Sequence, residues 1–177
     1  MLDINFLIWM LPIFFIFHDF EEIIFMKSWF EKNGEELKQK YPKIAKKMLP
    51  HMEEVTTASF AFGVWEEFVL ATVVTVITYQ YETYTMWLGI FMAFTFHLIL
   101  HCLQAVAMRR YVPVVATSIF LLPFCFYVIK AFLSVYTVIY TELLAAFLIA
   151  VIAIIVNGIA LHKGMVLFSR WQRKDTR

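Results

Sequence analysis

The chain has 177 residues and a formal net charge of +1. Hydrophobic residues make up 62% of it and charged residues 16%, against about 45–50% and about 25% in soluble domains. That composition excludes an ordinary soluble domain, and the near-zero charge excludes nucleic-acid binding by bulk electrostatics.

The first apolar run, Phe6 to Phe17, has no basic flank and no small-residue cleavage site. It reads as a retained helix rather than a signal peptide. Five apolar segments are expected to span a bilayer, at 4–26, 57–79, 86–108, 112–133 and 140–162. Each would be roughly 33 Å long as helix, enough to cross a hydrocarbon core of about 30 Å. Helix is the form they take because backbone groups in lipid have no water to pair with. The expected fold is therefore an all-α membrane bundle of about five spans in a single domain.

The polar stretch 27–56 carries seven lysines. Its Leu37, Tyr41, Ile44, Met48 and Met52 fall on one helical face, which predicts an amphipathic helix on the anionic inner leaflet, limited by Pro42 and Pro50. Only Arg109–Tyr111 separates the third and fourth spans, so these form a tight hairpin. All Lys and Arg residues except Lys130 lie in 27–56, at Arg109 and Arg110, or in the tail from Lys163 onward. With five spans those regions share one side. The excess of basic residues places that side in the cytoplasm and the N-terminus outside, in a multi-pass protein of the cell membrane. Cys102 and Cys125 lie in apolar runs and read as small buried hydrophobes.

The informative residues are those a bilayer excludes. The first span contains His18-Asp19-Phe20-Glu21-Glu22, the second Glu66-Glu67, and the third His97 and His101 followed by Gln104. An ionised side chain at mid-bilayer costs about 2.5–3.5 kcal/mol, so four unpaired glutamates would cost roughly 10 kcal/mol. Protons, basic partners or metal ions must neutralise them. His18, Glu21 and Glu22 stand at i, i+3, i+4, and His97 and His101 at i, i+4, so each set shares a helix face. Glu66 and Glu67 lie about 100° apart, so one of them points at the site. Ser59 and Gly63 sit on the Glu67 face and allow close helix approach. Asp19 points away from His18 and is expected outside the cluster. His51 reads as a solvated loop residue and Asn157 and His162 as a rim.

Imidazoles and carboxylates without thiolate suit Zn, Fe or Mn, as one ion or two. His18, Glu21, Glu22, Glu67, His97 and His101 are the expected metal ligands. Glu21, Glu22 and Glu66 are the candidate acid–base groups, and Gln104 and Asn157 support them. Arg109 and Arg110 lie just below the His101 stripe and are candidates for holding an anionic headgroup. The leading functional expectation is a metal-dependent membrane enzyme, hydrolytic or oxidative, acting on a lipidic or hydrophobic substrate. The alternative is a proton- or ion-coupled transporter using the same Glu/His cluster. The third is a non-catalytic membrane interaction protein.

The ordered set His18-Asp19-Phe20-Glu21-Glu22, His97, His101, Gln104-Ala105, Arg109-Arg110-Tyr111-Val112-Pro113 and Thr117 resembles the HXXEE-motif family of membrane proteins. Where that family often reads Pro-Gly, this chain has Pro113-Val114. The resemblance implies a polytopic membrane protein and the motif positions, and it implies no reaction. Paired glutamates with distant histidines are also similar in chemistry to the intramembrane CAAX-type glutamate proteases. Lys27, however, falls one position later than the basic residue of their Glu-Glu-x-x-x-Arg motif.

Overall fold

The computed structural model describes residues 3–175, and among them the chain forms seven α-helices and no strand. These are α1 (Ile4–Ile8), α2 (Met10–Lys40), α3 (Pro42–Glu54), α4 (Thr57–Tyr81), α5 (Tyr84–Met108), α6 (Val115–Val135) and α7 (Tyr140–Asp175). The chain is an all-α bundle of the membrane type, with α4, α5, α6 and α7 each long and apolar enough to cross a bilayer. α2 does not reach the same apolarity, because Asp19, Glu21 and Glu22 interrupt its hydrophobic half.

The first expected span breaks at Trp9. Pro12 has no N–H to give the Ile8 carbonyl. That carbonyl instead accepts from the Trp87 indole at 3.1 Å and the Thr75 hydroxyl at 3.5 Å. Helix α2 then continues past residue 26 to Lys40, where Glu35–Lys38 and Glu36–Lys40 pairs at 2.7 Å support its polar turns. The fourth span starts at Val115 rather than 112, because residues 109–114 form the turn. The fifth runs beyond 162 into the basic tail.

The 27–56 stretch is a helical hairpin. α3 folds back on α2 and buries Ala45, Leu49 and Met52 against Trp29, Phe30 and Leu37. Lys27 donates to the Met52 and Val55 carbonyls at 2.6 and 3.1 Å, closing the α3 C-terminus. The buried face is thus shifted from the expected stripe. Leu37 and Met52 are inside it, while Ile44 and Met48 stay 54% and 37% exposed. His51 is no solvated loop residue. Its Nε2 lies 3.0 Å from His162 Nδ1 on α7, and burial holds its pKa below the ordinary value.

The long helices close into a ring: α2 packs on α4 and α6, α6 on α5, α5 on α7, and α7 on α4. α2 and α5 stand on opposite sides of its interior. At the end away from α3 the ring is filled, with Trp87 stacked on Phe91 and Phe132 at 5.0 and 5.1 Å among buried Leu7, Ile8 and Cys125. Beside that layer the ring encloses a cavity of about 1090 Å³ bounded by α2, α3, α4, α5 and α7, which reaches from the α3 end to Val74, Met86 and Ile90.

Two glycines set where α7 crosses its neighbours. Gly63 of α4 faces Met165, with Ser59 one turn away accepting from Ser169 at 2.7 Å. Ser59 and Gly63 therefore serve the α4–α7 contact rather than the carboxylate cluster. Gly89 of α5 lies against α7 backbone, and a Cβ there would come within 2.7 Å of the Ala146 carbonyl carbon. Backbone cannot yield as the Met165 methyl can. Gly89→Ala is therefore expected to destabilise the bundle by about 1–3 kcal/mol and Gly63→Ala by less, as read by thermal unfolding in detergent.

Candidate metal centre and its cavity

His18 is fully buried on α2, and across the ring α5 presents His97 and His101. One ring nitrogen from each of the three histidines lies within 4.8 Å of the others. The i, i+4 spacing on α5 puts its two imidazoles on one face, edge to face at 89°, with their Nε2 atoms 2.9 Å apart. Three nitrogens around a tetrahedral ion with bonds of about 2.0–2.1 Å would sit roughly 3.3 Å apart. The His97–His101 pair is near that spacing, and the His18 nitrogen lies within 4.8 Å of both.

His18 is oriented from behind. Its Nδ1 is 3.0 Å from the Thr117 hydroxyl. That hydroxyl has one proton, directed at Glu21 Oε2 at 2.7 Å or the Val114 carbonyl at 3.3 Å. With its proton on either of those, the hydroxyl oxygen is left to accept, and the matching His18 tautomer carries its proton on Nδ1 and a lone pair on Nε2. The Nε2 atom is buried and has no hydrogen-bond partner. A buried ring nitrogen left without a partner is costly, and a metal ion would supply one.

Glu21 and Glu22 part company. Glu21 points to the start of α6 and accepts from the Tyr111 hydroxyl at 2.6 Å, the Thr117 N–H at 2.8 Å and the Thr117 hydroxyl at 2.7 Å. Thr117 lies in the first turn of α6, where N–H groups lack intrahelical partners, and Val114 gives no side-chain cap. Glu21 thus caps α6 from another helix and meets the positive end of its dipole. Val114 itself has φ 75°, a left-handed conformation that glycine favours. The chain therefore keeps the turn of the Pro-Gly pattern without the glycine.

Glu22 turns into the ring interior, with Oε1 3.9 Å from His101 Nε2. Asp19 lines the same cavity, contrary to the expectation that it lies outside, and its carboxyl is near enough to feel those of Glu22 and Glu67. Of the α4 pair, Glu67 lines the cavity while Glu66 accepts from Asn157 of α7 at 3.2 Å. Gln104 lies one turn below His101 on the cavity wall. Three carboxyls and the imidazoles of His97 and His101 thus line an apolar chamber, with the buried His18 ring packed against the two imidazoles.

The arginines separate as well. Arg110 donates to Glu36 at 2.8 Å and to the Asn33 side chain, and lies over the Trp29 ring at 5.6 Å. Hydrogen bonds from Lys40 and Arg110 hold the Glu36 carboxyl below its usual pKa. Arg110 is therefore committed to pinning the α5–α6 turn onto α2, beside the Trp29 indole that donates to Tyr111 O at 3.0 Å. Arg109 ends α5 in a left-handed conformation and is exposed. Thr117 and Tyr111 were named above by motif alone. Their work on Glu21 depends on how α6 docks, which spacing along one helix does not reveal.

Fold and site together define a helical membrane bundle with a histidine cluster and buried carboxyls in its interior. The family described as "Protein of unknown function with HXXEE motif" matches residues 9–128, more than half of the chain. The chain belongs to that family, and His18-Asp19-Phe20-Glu21-Glu22 is its motif. No curated protein and no solved structure matches the chain.

Proposed function

We propose that the protein is a metal-dependent enzyme of the cell membrane acting on a hydrophobic or lipid-like substrate. One observation carries this reading. Ring nitrogens of His18, His97 and His101, from two helices, lie within 4.8 Å of one another, His18 has a buried and partnerless Nε2, and His97 and His101 line a large apolar cavity. His18, His97 and His101 would hold a divalent ion such as Zn, Fe or Mn. Three protein nitrogens with a further position open is the ligand pattern of catalytic rather than closed structural sites. The ion would supply Lewis acidity or an activated water, or O₂ activation if it is iron. Glu22, beside His101, is placed to complete the ligand set or to move a proton. Asp19 and Glu67 face the same space and add negative charge that a cation offsets.

The ion-coupled carrier reading is less well supported. A carrier would use the same carboxyls, but it has no need of three convergent imidazoles, which favour a resident ion. The test is elemental analysis of protein purified in mild detergent without chelator. About one equivalent of transition metal per chain is expected. A folded, monodisperse protein with no metal, and none taken up on incubation with Zn, Fe or Mn, would overturn the reading.

A further inference from the structure

The cavity is more than a pocket around the histidines. Its 1090 Å³ lies at the upper end of the range for small-molecule sites, about 300–1,000 Å³. Its polar lining is concentrated at the level of Asp19, Glu22, Glu67, His97 and His101, and most of the remaining wall is apolar. That shape suits a hydrocarbon chain.

The way in follows from the path of α7. It touches α5 closely at Gly89–Ala146, near the filled end, and α4 closely at Gly63–Met165 and Ser59–Ser169, near α3. A helix held to one neighbour at one end and the other neighbour at the other end runs obliquely. Gln104 and Ala107 of α5 and Val156 and Ala160 of α7 line the cavity and are also exposed. These exposed cavity residues mark a lateral opening beside His101, and Leu70, Met86 and Ile149 mark a second nearer the Trp87 layer.

At the α3 end the mouth is apolar with a basic rim. Ile44 and Met48 line the cavity while remaining exposed. Lys43 and Lys47 precede them on α3, Arg109 follows the cavity residue Met108, and Lys163 follows His162. All four are exposed, and among the described residues none is in an ion pair with the chain's own carboxylates. Elsewhere Lys38, Lys40, Arg110 and Arg170 do have such partners.

We infer that the cavity binds a long-chain amphiphile with an anionic head, admitted sideways between α5 and α7, its chain in the ring and its head on Lys43, Lys47, Arg109 and Lys163. This specifies the substrate class of the enzyme proposed above and rests on that reading for its catalytic meaning. The binding itself does not require metal. The buried carboxyls repel an anion, so the head stays at the mouth and the chain passes the histidines. The same basic rim lies where anionic lipids concentrate, if the α3 side is cytoplasmic as its charge implies.

The test is binding of palmitoyl-lysophosphatidylglycerol, palmitoyl-lysophosphatidylcholine and palmitate to the full chain in nonionic detergent, by native mass spectrometry. The anionic phospholipid is expected to bind at least about tenfold more tightly than the zwitterionic one, and Lys43→Ala with Lys47→Ala to remove most of that preference. Ala107→Trp and Ala160→Trp, at exposed positions on either side of the gap, should each block all chain binding. Palmitate binding alongside the phospholipid identifies free acyl acids as a second source of the ligand. Its failure to bind assigns the site to phosphate-headed lipid, and either result supports the inference. Equal binding of both lysophospholipids, or binding unchanged in both tryptophan variants, overturns it. The assay is repeated on His101→Ala. Lipid bound there with no metal in any preparation sinks the metal reading alone, and metal without lipid selectivity sinks the present one alone.

Discussion

Replacing His101 with alanine is expected to leave a folded protein that no longer retains a divalent metal. His101 Nε2 stands 2.9 Å from His97 Nε2 and 3.9 Å from Glu22, and its ring lies 5.4 Å from that of His18, so it joins the α5 and α2 halves of the cluster. On the metal reading proposed above, removing it takes away a ligand rather than a support. Loss of a supporting group typically costs 10–100-fold in metal affinity, and loss of a ligand should exceed that. Folding should survive, because the side chain faces a cavity and gives up a hydrogen bond worth about 0.5–1.5 kcal/mol net. His51→Ala is the matched control. It breaks another histidine pair, with His162, that joins α3 to α7 away from the trio. Its metal content should equal that of the parent. Inductively coupled plasma spectrometry on both variants, with circular dichroism as the folding check, decides the matter. Equal metal in parent and His101→Ala would show that the imidazoles are not the ligands.

Much of the architecture is legible in the chain because lipid leaves few choices. Runs long enough to span must be helical, and those at 57–79 and 86–108 match α4 and α5 to within a few residues. His97 and His101 are also legible, since i, i+4 positions on one helix must share a face. Glu21 and Glu22 are different. Their spacing from His18 differs by one residue, or about 100° around the helix, and both positions lie within reach of the same face. Which one enters the ring depends on where α6 docks. The free N–H groups of the α6 first turn claim Glu21, and Glu22 is left to the cavity. Asp19 enters the cavity for a related reason: α2 has neighbours on two sides, α4 and α6, so a residue 100° from His18 turns toward α4 rather than toward lipid. Arg110 shows the same limit. Its charge suggested a headgroup, but Glu36 and Asn33 reach it only because α2 continues past the expected end of its span.

Thr117→Val is expected to lower metal affinity about 10–100-fold while leaving all three histidines in place. Valine matches threonine in shape but has no hydroxyl. The His18 Nδ1–H then loses its acceptor 3.0 Å away, in a fully buried position. An unpaired buried donor costs about 1–3 kcal/mol. The ring relieves that cost by moving its proton to Nε2 or by rotating, and either change withdraws the lone pair from the site. Thr117→Ser keeps the hydroxyl and should restore affinity, which separates orientation of His18 from general damage to α6. Glu21→Gln acts on the same chain from the far end. All three of its contacts are donors, from Tyr111 and Thr117. A glutamine amide can accept through its oxygen alone, and its NH₂ group must then face a donor. It should therefore impair both the α6 cap and the metal site, more strongly than Tyr111→Phe, which removes one of the three donors. Chelator-competition titration gives the affinities, and ¹⁵N shifts of labelled histidine report the His18 tautomer directly. A Thr117→Val protein with parental affinity and an unchanged tautomer would show that Thr117 and Glu21 serve the α6 cap and nothing more.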